Sequence, residues 1–262
     1  MRFDRALLFS VLLPLAGCVT TESNTSSLGK NMPQSSASEQ AVDAARIHTE
    51  LGQRYMANGD LQTALEKLQM ALKFDPNYAP GHAVIAVIYE KIGRPADAEL
   101  NYREAVRLEP AKGTWSNNLG QFLCSTGKYV EADTYFRKAI ADPFYKTPDV
   151  VLTNAGVCHL RAKNVPEAEK DFRDAIARNP QNAEALFQLA NTLYANNDAF
   201  RARAFMQRLD ALNQDSAISL KLGYDIETRL GNSEGARNYN KRLQSQFPDS
   251  EQAHALNSAA SP

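Results

Sequence analysis

Small and apolar residues recur along this chain in two alternating helical stripes broken by short polar turns. From residue 51 to 76 the sequence reads LGQRYMANGDLQTALEKLQMALKFDP. Leu51, Gly52 and Tyr55 mark one face of a first helix, and Ala64, Leu68 and Ala71 mark one face of a second. The spacing of three and four is that of a helix burying a single stripe. Asn58-Gly59-Asp60 interrupts the pattern; it ends the first helix and offers Asp60 as cap for the second. Pro76 cannot continue a helix, so the second is predicted to stop at about Asp75. Gly52 and Ala64 fall where the two helices cross, a place that admits only small side chains, and Tyr55 and Leu68 fill the space beside it.

The unit repeats every 34 residues: Ile85-Ala86, Tyr89, Ala98, Tyr102, Ala105 and Pro110, then Leu119-Gly120, Leu123, Ala132, Phe136 and Ala139, with Pro143 one residue early. Two inserted residues, Thr147 and Pro148, shift the count. A fourth copy then carries Ala155-Gly156, His159, Ala168, Phe172, Ala175 and Pro180. A fifth (Leu189-Ala190, Leu193, Ala202) and a sixth (Ala236, Leu243, Pro248, with Leu222-Gly223 early) are weaker. The frame is 45–78, 79–112, 113–146, 149–182, 183–216 and 217–250. This period and the placing of its small residues resemble the tetratricopeptide repeat. The fold class expected is all-α, a right-handed α-solenoid of about six repeats spanning 41–250, with 251–262 as a fraying tail.

Upstream of the repeats the pattern changes. Residues 1–17 pair a basic start, Arg2 and Arg5, with an apolar run from Ala6 to Leu15 that is too short to span a bilayer. Leu15-Ala16-Gly17-Cys18 resembles the lipobox of bacterial lipoproteins. That resemblance implies a signal peptide over 1–17, cleavage before Cys18 and lipid on its sulfur, with enough acyl chains for stable anchoring. Val19 follows where an aspartate would imply retention at the inner membrane, so the expected location is the outer membrane, with the repeats facing the periplasm. Residues 18–40, rich in Ser, Thr, Asn and Gln, read as a lipidated flexible tether, with Ser38 as a cap for the first helix.

The 262 residues carry a net charge of -1, with 44 % hydrophobic and 23 % charged side chains, ordinary for a soluble domain and without the basic excess that nucleic acid would require. Neither a catalytic motif nor a metal-binding motif is present, and the four histidines are scattered; His48 and His82 sit at a packing position of the repeat. No enzyme activity, cofactor, metal or small-molecule substrate is therefore expected. Acidic side chains such as Glu66 and Glu99 read as a solvated convex face. Cys124 and Cys158 lie near the ends of neighbouring first helices; in an oxidising compartment they either bridge or remain two small buried thiols. The segment Asp142 to Pro148 replaces a short turn, and its rings are expected to pack on the adjoining helices.

Arrays of this kind bind partners on the concave surface lined by first helices. The frame places Thr49, Gln53 and Met56 there, then Ala83, Val87 and Glu90, Asn117, Gln121 and Cys124, Thr153, Val157 and Leu160, and Phe187, Asn191 and Tyr194. This mixed apolar and amide lining suits an apolar or extended peptide. Met56 and Val87 have no packing duty in the repeat pattern and are expected to be open to a partner.

Lipobox, polar tether and six repeats together resemble the type IV pilus biogenesis and stability lipoprotein family, the pilotins of the pilus secretin. The local match is strongest from Asn118-Leu119-Gly120-Gln121-Phe122-Leu123-Cys124, through Gly127-Lys128-Tyr129, Glu131-Ala132 and Asp142-Pro143-Phe144-Tyr145, to Pro148 and Asn154-Ala155-Gly156-Val157-Cys158. The resemblance implies a non-enzymatic outer-membrane factor that binds the pilus secretin and helps it reach that membrane and multimerise. The alternative is a lipid-anchored repeat scaffold for cell-wall enzymes.

Overall fold

The computed structural model describes residues 36–259, and every regular element among them is a helix. The signal segment 1–17, the lipidation site Cys18 and the tether up to residue 35 lie outside the described residues, as do residues 260–262. Six antiparallel pairs follow one another: α1 (Ala37–Ala57) with α2 (Leu61–Phe74), α3 (Ala79–Lys91) with α4 (Pro95–Leu108), α5 (Gly113–Ser125) with α6 (Tyr129–Ala141), α7 (Pro148–Arg161) with α8 (Val165–Arg178), α9 (Ala183–Ala195) with α10 (Ala199–Asp210), and α11 (Ala217–Arg229) with α12 (Ser233–Gln246). A thirteenth helix, α13 (Glu251–Ala259), closes the array. Each pair packs on the next, which makes the fold an α-solenoid.

The turns inside the pairs share one device. The second residue after each first helix takes a left-handed conformation: Gly59, Gly93, Gly127 and Gly231 with φ of 83°, 73°, 82° and 73°, and Lys163 and Asn197 with φ of 59° and 62°. The next N–H then reaches back to the last turn of the helix, as from Asp60 to Tyr55 O at 3.0 Å and from Asn164 to His159 O at 2.8 Å. This bonding satisfies carbonyls that a helix end would otherwise leave open. Asp60 does cap α2, its carboxylate accepting from Thr63 N at 3.0 Å.

The crossings explain the small residues. A Cβ at Gly120 would lie 2.8 Å from the Phe136 ring, and one at Gly156 only 2.5 Å from Phe172. Phe136 and Phe172 are fully buried, as are Ala64, Ala98, Ala132, Ala168 and Ala202. The irregular fifth and sixth repeats keep the same architecture with other fillers. Met206 and Tyr239 take the ring positions, and the Tyr239 hydroxyl donates to Asp210.

Three expectations change at the level of elements. The first helix begins at Ala37, inside the stretch read as tether, because its cap is Ser36 rather than Ser38. Glu39 N donates to Ser36 Oγ at 3.2 Å and Ser36 N to Glu39 Oε2 at 2.6 Å, a reciprocal box that only this register closes. Residues 251–259 form a helix rather than a fraying turn. Ala253 is fully buried and Leu256 packs beside Leu220, Tyr239 and Leu243, covering the face that the last repeat would otherwise expose. Glu99 is not a solvated convex acid: it meets Lys128 at 2.7 Å and Arg103 at 2.8 Å, and Arg103 also reaches Glu131 at 2.7 Å, tying α4 to α6. In the inserted turn, Asp142 accepts from the N–H groups of Gly113 and Phe144, which hold its carboxyl below the usual range. Tyr145 packs on the core there, while Phe144 is 88 % exposed.

Candidate partner-binding groove

The first helices of the middle repeats line an open cavity of about 680 Å³. Its floor is made of core residues, Phe122, Cys124 and Phe136, and its walls carry Val87 and Glu90 from α3, Asn118, Gln121 and Ser125 from α5, Asn154, Val157 and Arg161 from α7, and Glu184 and Gln188 from α9. The polar groups differ in how far they are satisfied. Tyr102 donates its hydroxyl to Glu90 Oε2 at 3.1 Å; burial and the Glu90 charge push the phenol pKa upward, so it stays a donor. Gln188 donates to Glu184 at 2.7 Å, and Asn154 donates to Asn117 Oδ1 at 3.1 Å. The side chains of Asn118, Gln121 and Arg161 make no hydrogen bond or ion pair among the described residues.

The candidates read from the repeat frame separate into three groups. Val87, Gln121 and Val157 line the cavity, with Glu90, Cys124 and Thr153 beside them. Thr49, Ala83 and Asn117 are buried between helices at 3 %, 4 % and 6 % exposure, and Asn117 serves as acceptor for Asn154. Met56 and Val87 both do have packing duties. Met56 packs against Leu68, Val84, Ile85 and Ile88, where the end of α1 meets the middle and last turns of α3. Val87, though it lines the cavity, packs against the cluster that includes Tyr102 and Phe122. Leu160, Phe187 and Tyr194 pack on the large cluster of repeats four and five. Gln53 and Asn191 are exposed but outside the cavity. Of the wall residues missed by the frame, Asn118, Ser125, Asn154, Arg161 and Gln188 sit one helical position from those chosen, and Glu184 sits three before Phe187. One residue of phase turns a helix by about 100°. The recurrence of carboxamides at one repeat position, Asn118, Asn154 and Gln188, was a usable signal.

Two links brace the groove from behind. Cys124 on α5 and Cys158 on α7 are joined in a disulfide with Cα atoms 5.7 Å apart. Asp171 on α8, fully buried, accepts from both ends of the Arg137 guanidinium at 2.8 and 2.9 Å, and His159 Nδ1 lies 3.0 Å from it. Burial alone would raise the Asp171 pKa; the bonds from His159 and Arg137 and the guanidinium charge outweigh it and hold the carboxyl below its ordinary value. Asp133, His159 and Asp171 are close enough to suggest a metal set, but Arg137 lies 2.9 Å from Asp133 and occupies both Asp171 oxygens. A fixed cation already stands where a metal would, and the cluster is a structural ion pair. The other predicted packing histidines find partners too: His48 stacks on Phe74 at 5.3 Å between centroids, and His82 bonds Asn101 and the Pro76 carbonyl.

Paired helices, left-handed turns, glycine-on-ring crossings and a groove lined by first helices define a tetratricopeptide-repeat protein. Tetratricopeptide-repeat profiles match residues 43–93, 85–146 and 159–222. Among solved structures, PilW, described as a widely conserved type IV pilus biogenesis factor, superposes with a TM-score of 0.72 at 31 % identity, over 81 % of this chain and 98 % of that one. PilF of Pseudomonas aeruginosa, a type IV pilus assembly protein, is 27 % identical over 251 residues, 95 % of this chain and 96 % of the relative. Its structure superposes with a TM-score of 0.71 over 86 % of this chain and all of that one. The chain belongs to the family of tetratricopeptide-repeat proteins that PilW and PilF represent.

Proposed function

We propose that this protein is a non-enzymatic factor of type IV pilus biogenesis, a pilotin that binds the pilus secretin and promotes its outer-membrane localisation and multimerisation. The observation that carries the reading is the similarity to PilF along nearly the whole length of both chains, together with the PilW superposition. A solenoid with an open, unsatisfied groove is a binding device, and its working part is the cavity between α3 and α9. Lipid on Cys18 would hold the repeats at the inner leaflet of the outer membrane, with the 22 residues from 19 to 40 as spacer. Four of those residues enter α1, which shortens the spacer slightly.

The test is genetic. A deletion strain should lose secretin multimers from the outer-membrane fraction together with pilus-dependent motility, and a plasmid copy should restore both. A Cys18→Ala copy should stay unlipidated by intact mass and restore the multimers poorly. Normal multimers and motility in the deletion strain would refute the proposal and favour the cell-wall scaffold.

A further inference from the structure

The groove holds an order that its apolar content does not explain. Asn118, Asn154 and Gln188 occupy the same position of three successive repeats, 36 and then 34 residues apart, the first step including the two-residue insertion. All three present a side-chain carboxamide to one cavity. A carboxamide carries both a donor and an acceptor, as a peptide group does. Asn118 keeps both free, and Asn154 and Gln188 each keep their acceptor oxygen beside one internal bond. Neighbouring packed helices stand about 8–10 Å apart. An extended chain of polyproline II type rises about 3.1 Å per residue and presents the same edge every third residue, about 9.3 Å. The peptide repeat falls within the range of helix spacings. A bound α-helix would offer these amides no main-chain partner, since its main-chain groups are bonded internally.

Arg161 is the second observation. It is the one cation lining the cavity, and it has no carboxylate partner among the described residues, although Glu90 and Glu184 line the same space. Glu90 accepts from Tyr102 and Glu184 from Gln188 instead. Arg161 stands on α7, with groove continuing over α5 on one side and α9 on the other. A carboxylate reaching it therefore comes from within a segment that passes through, because a chain ending there would leave half of the ladder unused.

We infer that the groove reads the main chain of an extended, non-helical peptide segment through Asn118, Asn154 and Gln188, and that Arg161 receives an Asp or Glu side chain of that segment. The inference rests on the groove being the partner-binding face, and it adds the chemistry by which a partner is recognised. Specificity then comes from one charge and from backbone extension, with little demand on the remaining side chains.

The test uses a random dodecapeptide phage library panned against the full mature protein in detergent, so that no partner need be known. Selected peptides should share one acidic residue and lack helical apolar spacing. Their affinity should fall at least tenfold in the double variant Asn118→Ala with Gln188→Ala, and stay within threefold in Asn118→Gln, which keeps a carboxamide. Arg161→Glu should cost at least tenfold, and replacing the acidic residue of the peptide by Lys should recover most of the loss in that variant. Replacing a main-chain amide of the peptide by an ester should also weaken binding. Peptides with apolar residues at helical spacing, unchanged affinity in a double variant of normal helicity and melting, or no binders at all would overturn the inference. A library has no bias toward secretin sequence, so this outcome is read separately from the multimer assay in the deletion strain.

Discussion

Asp171 should be the most expensive polar side chain to remove. It is fully buried on α8 and receives three hydrogen bonds, two from Arg137 on α6 and one from His159 on α7, so a single carboxylate joins three helices of repeats three and four. Breaking a buried ion pair by removing one partner costs about 3–5 kcal/mol. Here the cost is discounted, because the Arg137 side chain is 40 % exposed and can lean on Asp133 at 2.9 Å. Asp171→Asn, similar in volume but uncharged, is therefore expected to lose about 2–3 kcal/mol. For a domain of this size that is a fall in melting temperature of about 4–12 °C. The pH dependence gives an independent reading. The folded-state pKa of Asp171 lies below its unfolded value, so its contribution is complete above the ordinary carboxylate range and disappears as pH falls through the lowered folded value. Melting curves from pH 7 down to pH 3 should show wild type and Asp171→Asn converging toward the acid end. A variant within about 0.5 kcal/mol of wild type at pH 7, or a gap that persists unchanged at pH 3, would refute the reasoning.

Other perturbations are cheaper to make. Cys124 and Cys158 should resist alkylation in denatured protein until reductant is added; the loop closed over 34 positions predicts that reduction costs about 4 kcal/mol by the chain-entropy relation. Gly156→Ala gains about 1 kcal/mol of helix propensity but forces a Cβ to 2.5 Å from Phe172, so a net loss of at least about 1 kcal/mol in urea denaturation is expected. Lys163→Gly should stabilise by about 0.5–1 kcal/mol, since Lys163 is held at φ 59° where only glycine is unstrained; a destabilised variant would contradict the turn geometry.

The fold was legible because its determinants are local and periodic. A small residue at each crossing, a ring beside it and a breaker after each helix recur at 34 residues, and each can be recognised without knowing what it packs on. What could not be read depends on geometry between repeats. Glu99 looked solvated because the Lys128 and Arg103 that engage it are identifiable only once α4 and α6 lie side by side. Arg137 and Asp171 are 34 residues apart, but nothing in a charge pattern tells a buried bridge from two surface residues. Helix α13 escaped because nine residues of weak amphipathicity carry little signal without the exposed end of the solenoid to cover. The groove was half legible: Val87, Gln121 and Val157 lie in it, but a frame anchored on Thr49, Ala83 and Asn117 follows residues wedged between neighbouring helices, and the open face runs through Asn118, Gln121 and Ser125.

The central claim is that the groove-lining face of this solenoid engages the pilus secretin. Photo-crosslinking in living cells tests it most directly, with a photoreactive residue placed at Gln121, exposed in the groove, and in a second strain at Lys170, exposed on α8. The account predicts a secretin adduct from position 121 on illumination and none from position 170. A secretin adduct from position 170 alone, or none from either position in cells that assemble secretin multimers normally, would contradict it.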